Sequence, residues 1–161
     1  MGIRVRRFPE HHVDLHVFSG VVTTEDARRH IERLDANDRW LCYFDPTADL
    51  SGVDLAHLPE LRRLMAVKEQ RRGADRILPT VIVNASESAD HDLRFWRSYA
   101  SAEGENPHDT IMCSSLEAAC DWLGLPPAAH DALAAEIGEP AHAPRPGRPS
   151  DRTESLAGHR A

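Results

Sequence analysis

Two apolar runs constrain this chain more than any other feature: WLCYF at residues 40–44 and ILPTVIV at residues 77–83. Neither alternates polar with apolar side chains. A strand with one wet face would alternate, whereas an unbroken run calls for cover on both faces. Amphipathic segments follow each run and can supply that cover. After the first, Leu58, Leu61 and Met65 form one helical stripe with Leu64 beside it. Pro59 fits the first turn of that helix, where its missing N–H is harmless, and Gly73 ends it. After the second, Asn84 and Ser86 lead into a helix with Glu87, Asp90 and Asp92 near its positive end. Leu93, Trp96, Tyr99 and Ala100 mark its buried face, and Gly104 stops it.

The pattern extends in both directions. Residues 3–8 read as a strand and Pro9-Glu10-His11 as a turn. Residues 12–22 then alternate, with Val13, Leu15 and Val17 on one side and His12, Asp14 and His16 on the other. These two stretches predict a hairpin. Thr23 fits an N-cap with Asp26 as the reciprocal partner, and Ala27, Ile31 and Leu34 predict a helix over 24–36. Toward the C-terminus, residues 110–113 form a short strand and Ser114-x-x-Glu117 reads as a capping box. Leu116, Ala119 and Leu123 continue that helix, Gly124 stops it, and Pro126 opens a last helix to about Ile137. The expected fold class is α/β: a mostly parallel four- to five-stranded sheet, an N-terminal antiparallel hairpin at one edge, and packed helices.

A chain of 161 residues suits one domain, placed at 1–137. Residues 138–161 hold four prolines, three glycines and one large aliphatic, Leu156, too little to offset chain entropy. They are expected to form a disordered tail. The net charge of −7 repels phosphate backbones, so no nucleic-acid partner is expected. The start MGIRVRRFPEHH lacks an apolar signal region, and Arg6 breaks the myristoylation pattern. No stretch approaches the roughly 18–20 apolar residues of a transmembrane segment. Cys42, Cys113 and Cys120 form no CxxC pair and read as reduced thiols, so the expected location is cytoplasmic.

The segments FSGVVTTEDARRHIERL, a Trp-led strand ending in YFD, DLSGVDLAHLPELRRL, RILPTVIVNASESADHDLRFW and IMCSSLEAACDWLGLP together carry a resemblance. Over residues 3–126 the chain resembles the STAS-like family, small bacterial proteins with the fold of sporulation anti-sigma-factor antagonists. The resemblance implies that fold, and a regulatory role through a protein partner or homodimer. In those antagonists a serine in a D-S-S-G pattern is phosphorylated, which breaks binding to a partner kinase. Here Asp49-Leu50-Ser51-Gly52 lies in the neighbourhood, making Ser51 the candidate phosphorylation site.

Read from the residues, Ser51 has a plainer role. Asp45, Asp49 and Asp54 would repel a phosphate, and Asp49, Ser51 and Asp54 suit turns and caps of their own loop. His12, Asp14 and His16, spaced about 6.6 Å apart along one strand face, are the weak metal candidates against a solvent-facing strand side. Cys113 ends a strand before a helix, as some nucleophilic cysteines do, but the oxyanion-binding arginine of C-x5-R is replaced by Ala119. Arg94, Phe95 and Arg97 flank the Trp96 stripe, with Phe95 off it as a contact candidate. Carboxyl ends of parallel strands gather ligands, so Asp45, Asp49, Asn84, Cys113 and Ser114 form an expected ligand or partner rim. No phosphate-binding, zinc-protease or nucleophile-elbow motif occurs in the sequence, and no cofactor is expected. The leading expectation is a non-enzymatic interaction module that docks through residues 45–58 and the following helix. The alternative is a small-molecule or lipid-binding domain that uses the rim.

Overall fold

In the computed structural model, which describes residues 2–35, 39–71, 80–102 and 110–138, five strands lie side by side in chain order. β1 (Ile3–Phe8) runs antiparallel to β2 (Val13–Phe18). β3 (Arg39–Phe44), β4 (Thr80–Asn84) and β5 (Thr110–Cys113) all run parallel to β2. The expected mixed α/β sheet with an N-terminal hairpin is therefore present. α1 (Thr24–Arg33), α2 (Leu58–Arg71) and α3 (Glu87–Ala102) connect successive parallel strands, and α4 (Leu116–Trp122) and α5 (Pro127–Ile137) follow β5.

The strand order fixes where the helices go. Right-handed crossovers that always step in the same direction place their helices on one face. α1, α2 and α3 accordingly share one core with Phe18, Trp40 and Phe44. α4 and α5 cover the opposite face, where Val13, Leu15, Val17, Leu41, Tyr43, Val81 and Val83 pack on Leu116, Ala119 and Leu133. Strand register keeps the two faces separate. Leu15, Leu41, Val81 and Ile111 form one row across the sheet, and His16, Cys42, Ile82 and Met112 form the next.

Several local expectations hold. Thr23 caps α1 by accepting from the Asp26 N–H at 3.1 Å, and Asp26 accepts from the Thr23 N–H at 3.0 Å. Others need correction. The N-cap of α4 is Ser115, which accepts from the Ala118 N–H at 3.1 Å, because the helix starts one residue later than the Ser114 spacing suggests. β2 ends at Phe18 rather than running to residue 22, because Gly20 takes a φ of 60° and turns the chain toward the loop after β3. The predicted stops at Gly73 and Gly104, the strand start at Ile77 and the tail of residues 139–161 lie outside the described residues. Among the described residues no helix is long and apolar enough to cross a membrane.

Two loops at the carboxyl end of the sheet are stitched together. The Asp49 N–H donates to the Gly20 carbonyl at 2.9 Å, and the Val22 N–H donates back to the Asp49 carbonyl at 2.8 Å. Thr24 N–H reaches the Gly52 carbonyl at 3.3 Å, while Thr24 Oγ1 accepts from the Asp54 N–H at 2.8 Å. Under this seam Val22, Ala48, Leu50 and Val53 are buried. Gly52 is held so close that a Cβ would lie 2.6 Å from the Val22 carbonyl oxygen. Gly52→Ala is therefore expected to cost about 1–3 kcal/mol of stability, read as a lower urea midpoint at unchanged slope. A midpoint equal to wild type would show that the seam yields freely.

Candidate functional site

The rim at the carboxyl ends of the strands is level. The Asp45 N–H donates to the Phe18 carbonyl at 3.0 Å and the Ala85 N–H to the Phe44 carbonyl at 2.8 Å, so each exit is tied to its neighbour. Asp45 and Asn84 follow adjacent strand ends, and Cys113 pairs with Val83 one step back. The structure thus brings Asp45, Asp49, Ser51 and Asn84 to the same end of the sheet.

Their side chains turn inward to the backbone. Asp45 Oδ1 accepts from the Thr47 N–H at 2.8 Å and from the Thr47 hydroxyl at 2.6 Å. Asp49 Oδ1 accepts from the Ser51 N–H at 2.9 Å, and Asp54 Oδ1 from the Ala56 N–H at 2.9 Å. Asn84 Oδ1 accepts from the Ser86 N–H at 3.0 Å, while its Nδ2 donates to the Ser86 carbonyl at 3.0 Å. Ser86 Oγ donates to the Ala48 carbonyl and accepts from the Ala89 N–H at 3.1 Å, which caps α3 and anchors the seam. These are local turn and cap bonds, the reason such residues favour loops. The Ser51 N–H, then the Ser51 and Ser88 side chains, hold the Asp49 carboxyl below the usual range. Chemically the rim presents backbone-satisfied acids rather than groups converging on a substrate. Its topology agrees: ligand crevices open where strand order reverses, and here the order never does.

Cys113 is part-buried, and burial raises its thiol pKa. Cys120 is pushed up to about 11, chiefly by burial, with Asp121 and Cys113 adding to it. An activated nucleophile needs the opposite shift. Ser114 is exposed and leaves the capping of α4 to Ser115. Beside the seam, Val21 and Leu55 remain 54% and 58% exposed, with Ser51 exposed between them in the chain. Phe95, the off-stripe aromatic, is also exposed, on α3.

His12, Asp14 and His16 do not share a solvent face. His12 closes the Pro9–His11 turn at a φ of 52°, outside the strand, and is exposed. Asp14 and His16 are each only 1% exposed, because α1 lies over them. β2 is not an outer strand, so its polar side is covered along with its apolar side. Among the described residues no three His, Cys, Asp or Glu side chains are grouped to hold a metal ion.

The partner of His16 escapes a reading of β2 alone. His30 of α1 sets its Nε2 3.1 Å from His16 Nδ1, with the rings edge to face. Phe18 and Trp40 flank the pair. A signal was available: His30 falls three residues after Ala27 and four before Leu34, inside the apolar stripe of α1. Burial lowers the His30 pKa from 6.5 to about 4. No family model matches the chain, and none of the curated proteins matches its sequence.

The buried imidazole gives a pH dependence. The unfolded chain takes up the His30 proton near pH 6.5, but the folded chain only near pH 4. Between those values the unfolded state holds more protons, so stability falls as pH falls, by up to about 1.4 kcal/mol per pH unit. Urea denaturation at pH 7 and pH 5 should show that loss in the wild type and a smaller one in His30→Gln. Equal losses in the two proteins would contradict a buried neutral His30.

Proposed function

We propose that this chain is a non-enzymatic interaction module of STAS-like type, which docks through residues 45–58 and the start of α2 onto a protein partner. One observation carries the reading. The acids and hydroxyls of the rim bind their own backbone, while Val21 and Leu55 stand out in solvent beside Ser51. Exposed apolar side chains ringed by polar groups are the usual anatomy of a protein contact. The STAS-like part rests on the resemblance over residues 3–126, with which the hairpin and the unreversed parallel sheet are consistent. Three free thiols suit a cytoplasmic setting.

The charge around the apolar centre points to the partner's chemistry. Asp49 pairs with Val21 and Asp54 precedes Leu55, while Arg28 of α1 is engaged by Glu60 at 3.1 and 3.2 Å and by Glu25 at 2.7 Å. A second copy would bring acidic rim against acidic rim in a two-fold pairing, so a partner with basic residues around an apolar patch fits better. Ser51 lies within this surface, and a phosphate there would change its charge by about −1.5 to −2. The ligand-binding alternative draws its support from an apolar space of about 270 Å3 between the sheet and α1–α3, which reaches beneath the rim at Val22, Leu50 and Leu58.

Leu55→Asp should lower recovery of the physiological partner by at least about tenfold, while circular dichroism and the thermal midpoint stay unchanged. Phe95→Asp, on α3, serves as the control and should leave recovery intact. Undiminished recovery with Leu55→Asp would remove the rim as the docking surface.

A further inference from the structure

The outer edge of the helix-bearing face is open. β1 carries Ile3, Val5 and Arg7 toward a groove of about 430 Å3, and α1 supplies Arg29, His30 and Arg33 from the other wall. Asp26 also borders it, but its carboxylate accepts from the Thr23 N–H and the Thr23 hydroxyl in the capping box. Arg7 lies 3.6 Å from the part-buried Asp35 and 4.0 Å from the buried Asp14, and Arg29 leans on Glu25 at 2.9 Å in an exposed contact of small energy. Arg33 makes no ion pair with any described residue. The wall itself therefore carries more positive than negative charge, with at least one guanidinium uncommitted.

A second space begins where the groove ends. The apolar volume of about 270 Å3 beneath α1–α3 is lined by Phe18, Cys42, Met65, Ile82 and Trp96, among others. Ile3 and His30 line both walls, so the cationic groove and the apolar space adjoin at those two side chains. At that junction His30 Nδ1 is shielded from solvent and finds no hydrogen-bond partner among the described residues.

We propose that the groove binds a single-chain anionic amphiphile, its carboxylate held by Arg33 and Arg29 and its alkyl chain passing between Ile3 and His30 into the apolar space. Guanidinium groups bind carboxylates through paired N–H donors, which gives the head its orientation. The alkyl chain gains by leaving water, at about 0.8 kcal/mol for each methylene buried. The apolar space, about 270 Å3, lies just below the roughly 300–1,000 Å3 of most ligand cavities, which suits one medium-length chain and not a two-tailed lipid. The cationic groove opens on β1 and the outer side of α1, away from the rim, while the apolar space runs beneath the seam and the start of α2, where Val22, Leu50 and Leu58 line it.

The test is isothermal titration of the full chain with decanoate below its micelle concentration, beside 1-decanol, acetate and anionic phosphatidylglycerol vesicles. Saturable one-to-one binding of decanoate is expected, with decanol at least about tenfold weaker and acetate giving no heat. Arg29→Gln with Arg33→Gln, on the exposed side of α1, should weaken decanoate at least about tenfold without altering the fold. Ile82→Phe should block the chain, and if it fails to fold the arginine pair still decides the matter. Absence of decanoate binding would overturn the proposal. So would equal affinity for decanoate and decanol, affinity unchanged by the arginine substitutions, or tighter binding to the vesicles, which would assign the arginines to a lipid surface instead.

Discussion

The seam between residues 19–24 and 45–54 is the constraint on which the functional end of this fold depends. Single backbone hydrogen bonds contribute only about 1 kcal/mol each. The seam matters because its bonds close over Val22, Ala48, Leu50 and Val53, so the loops are held by apolar burial as well as by pairing. It also sets the entry to α1, since Thr23 and Thr24 sit between the seam and the capping box. Gly52 allows the two chains to approach, and Ser86 ties the same loop to the start of α3. A rim built this way has its polar groups spoken for, the Ser51 hydroxyl included through Asp49, and what it offers outward is Val21 and Leu55.

The unreversed strand order has a second consequence. It puts three helices on one face and provides no reversal of strand order at which a ligand crevice would open. The unfilled space lies at the outer edge, where β1 extends the sheet beside α1 and no further helix of the described residues covers Ile3, Val5 and Arg7. The same α1 that buries Asp14 and His16 on its inner side presents Arg29 and Arg33 on its outer side. The cationic end of the ligand site thus lies apart from the docking surface, and Arg29 and Arg33 can be replaced without touching the rim, although the apolar space runs beneath it.

Much of the fold was legible because its signals are local. The unbroken run at residues 40–44, the Thr23 cap with Asp26 and the short strand at 110–113 all stand in the structure where their chemistry puts them. Ser114 was misread because a capping box can be shifted by one residue when serines are adjacent, and only the true helix start selects Ser115. The face of β2 was misread for a different reason. Alternation tells which residues lie together but not whether the polar side is covered, and that depends on how α1 packs back onto β2, as the His16–His30 contact shows. At the site, the acidic loop was correctly readable as self-capping, since Asp45, Asp49 and Asp54 each bind a backbone N–H two residues on. The cationic groove was not readable, because it joins alternate residues of β1 to the outer side of α1 through a packing no single segment encodes.

The central claim is that the rim is a preformed surface rather than a flexible loop that orders on contact. Native-state hydrogen exchange at the Val22 and Asp49 amides addresses it most directly, since these two donors close the seam in opposite directions. A preformed rim predicts exchange slowed at least about a thousandfold relative to an unstructured chain, approaching the protection of the central strands. Exchange of these two amides at the unstructured rate, with β3 still protected, would contradict it.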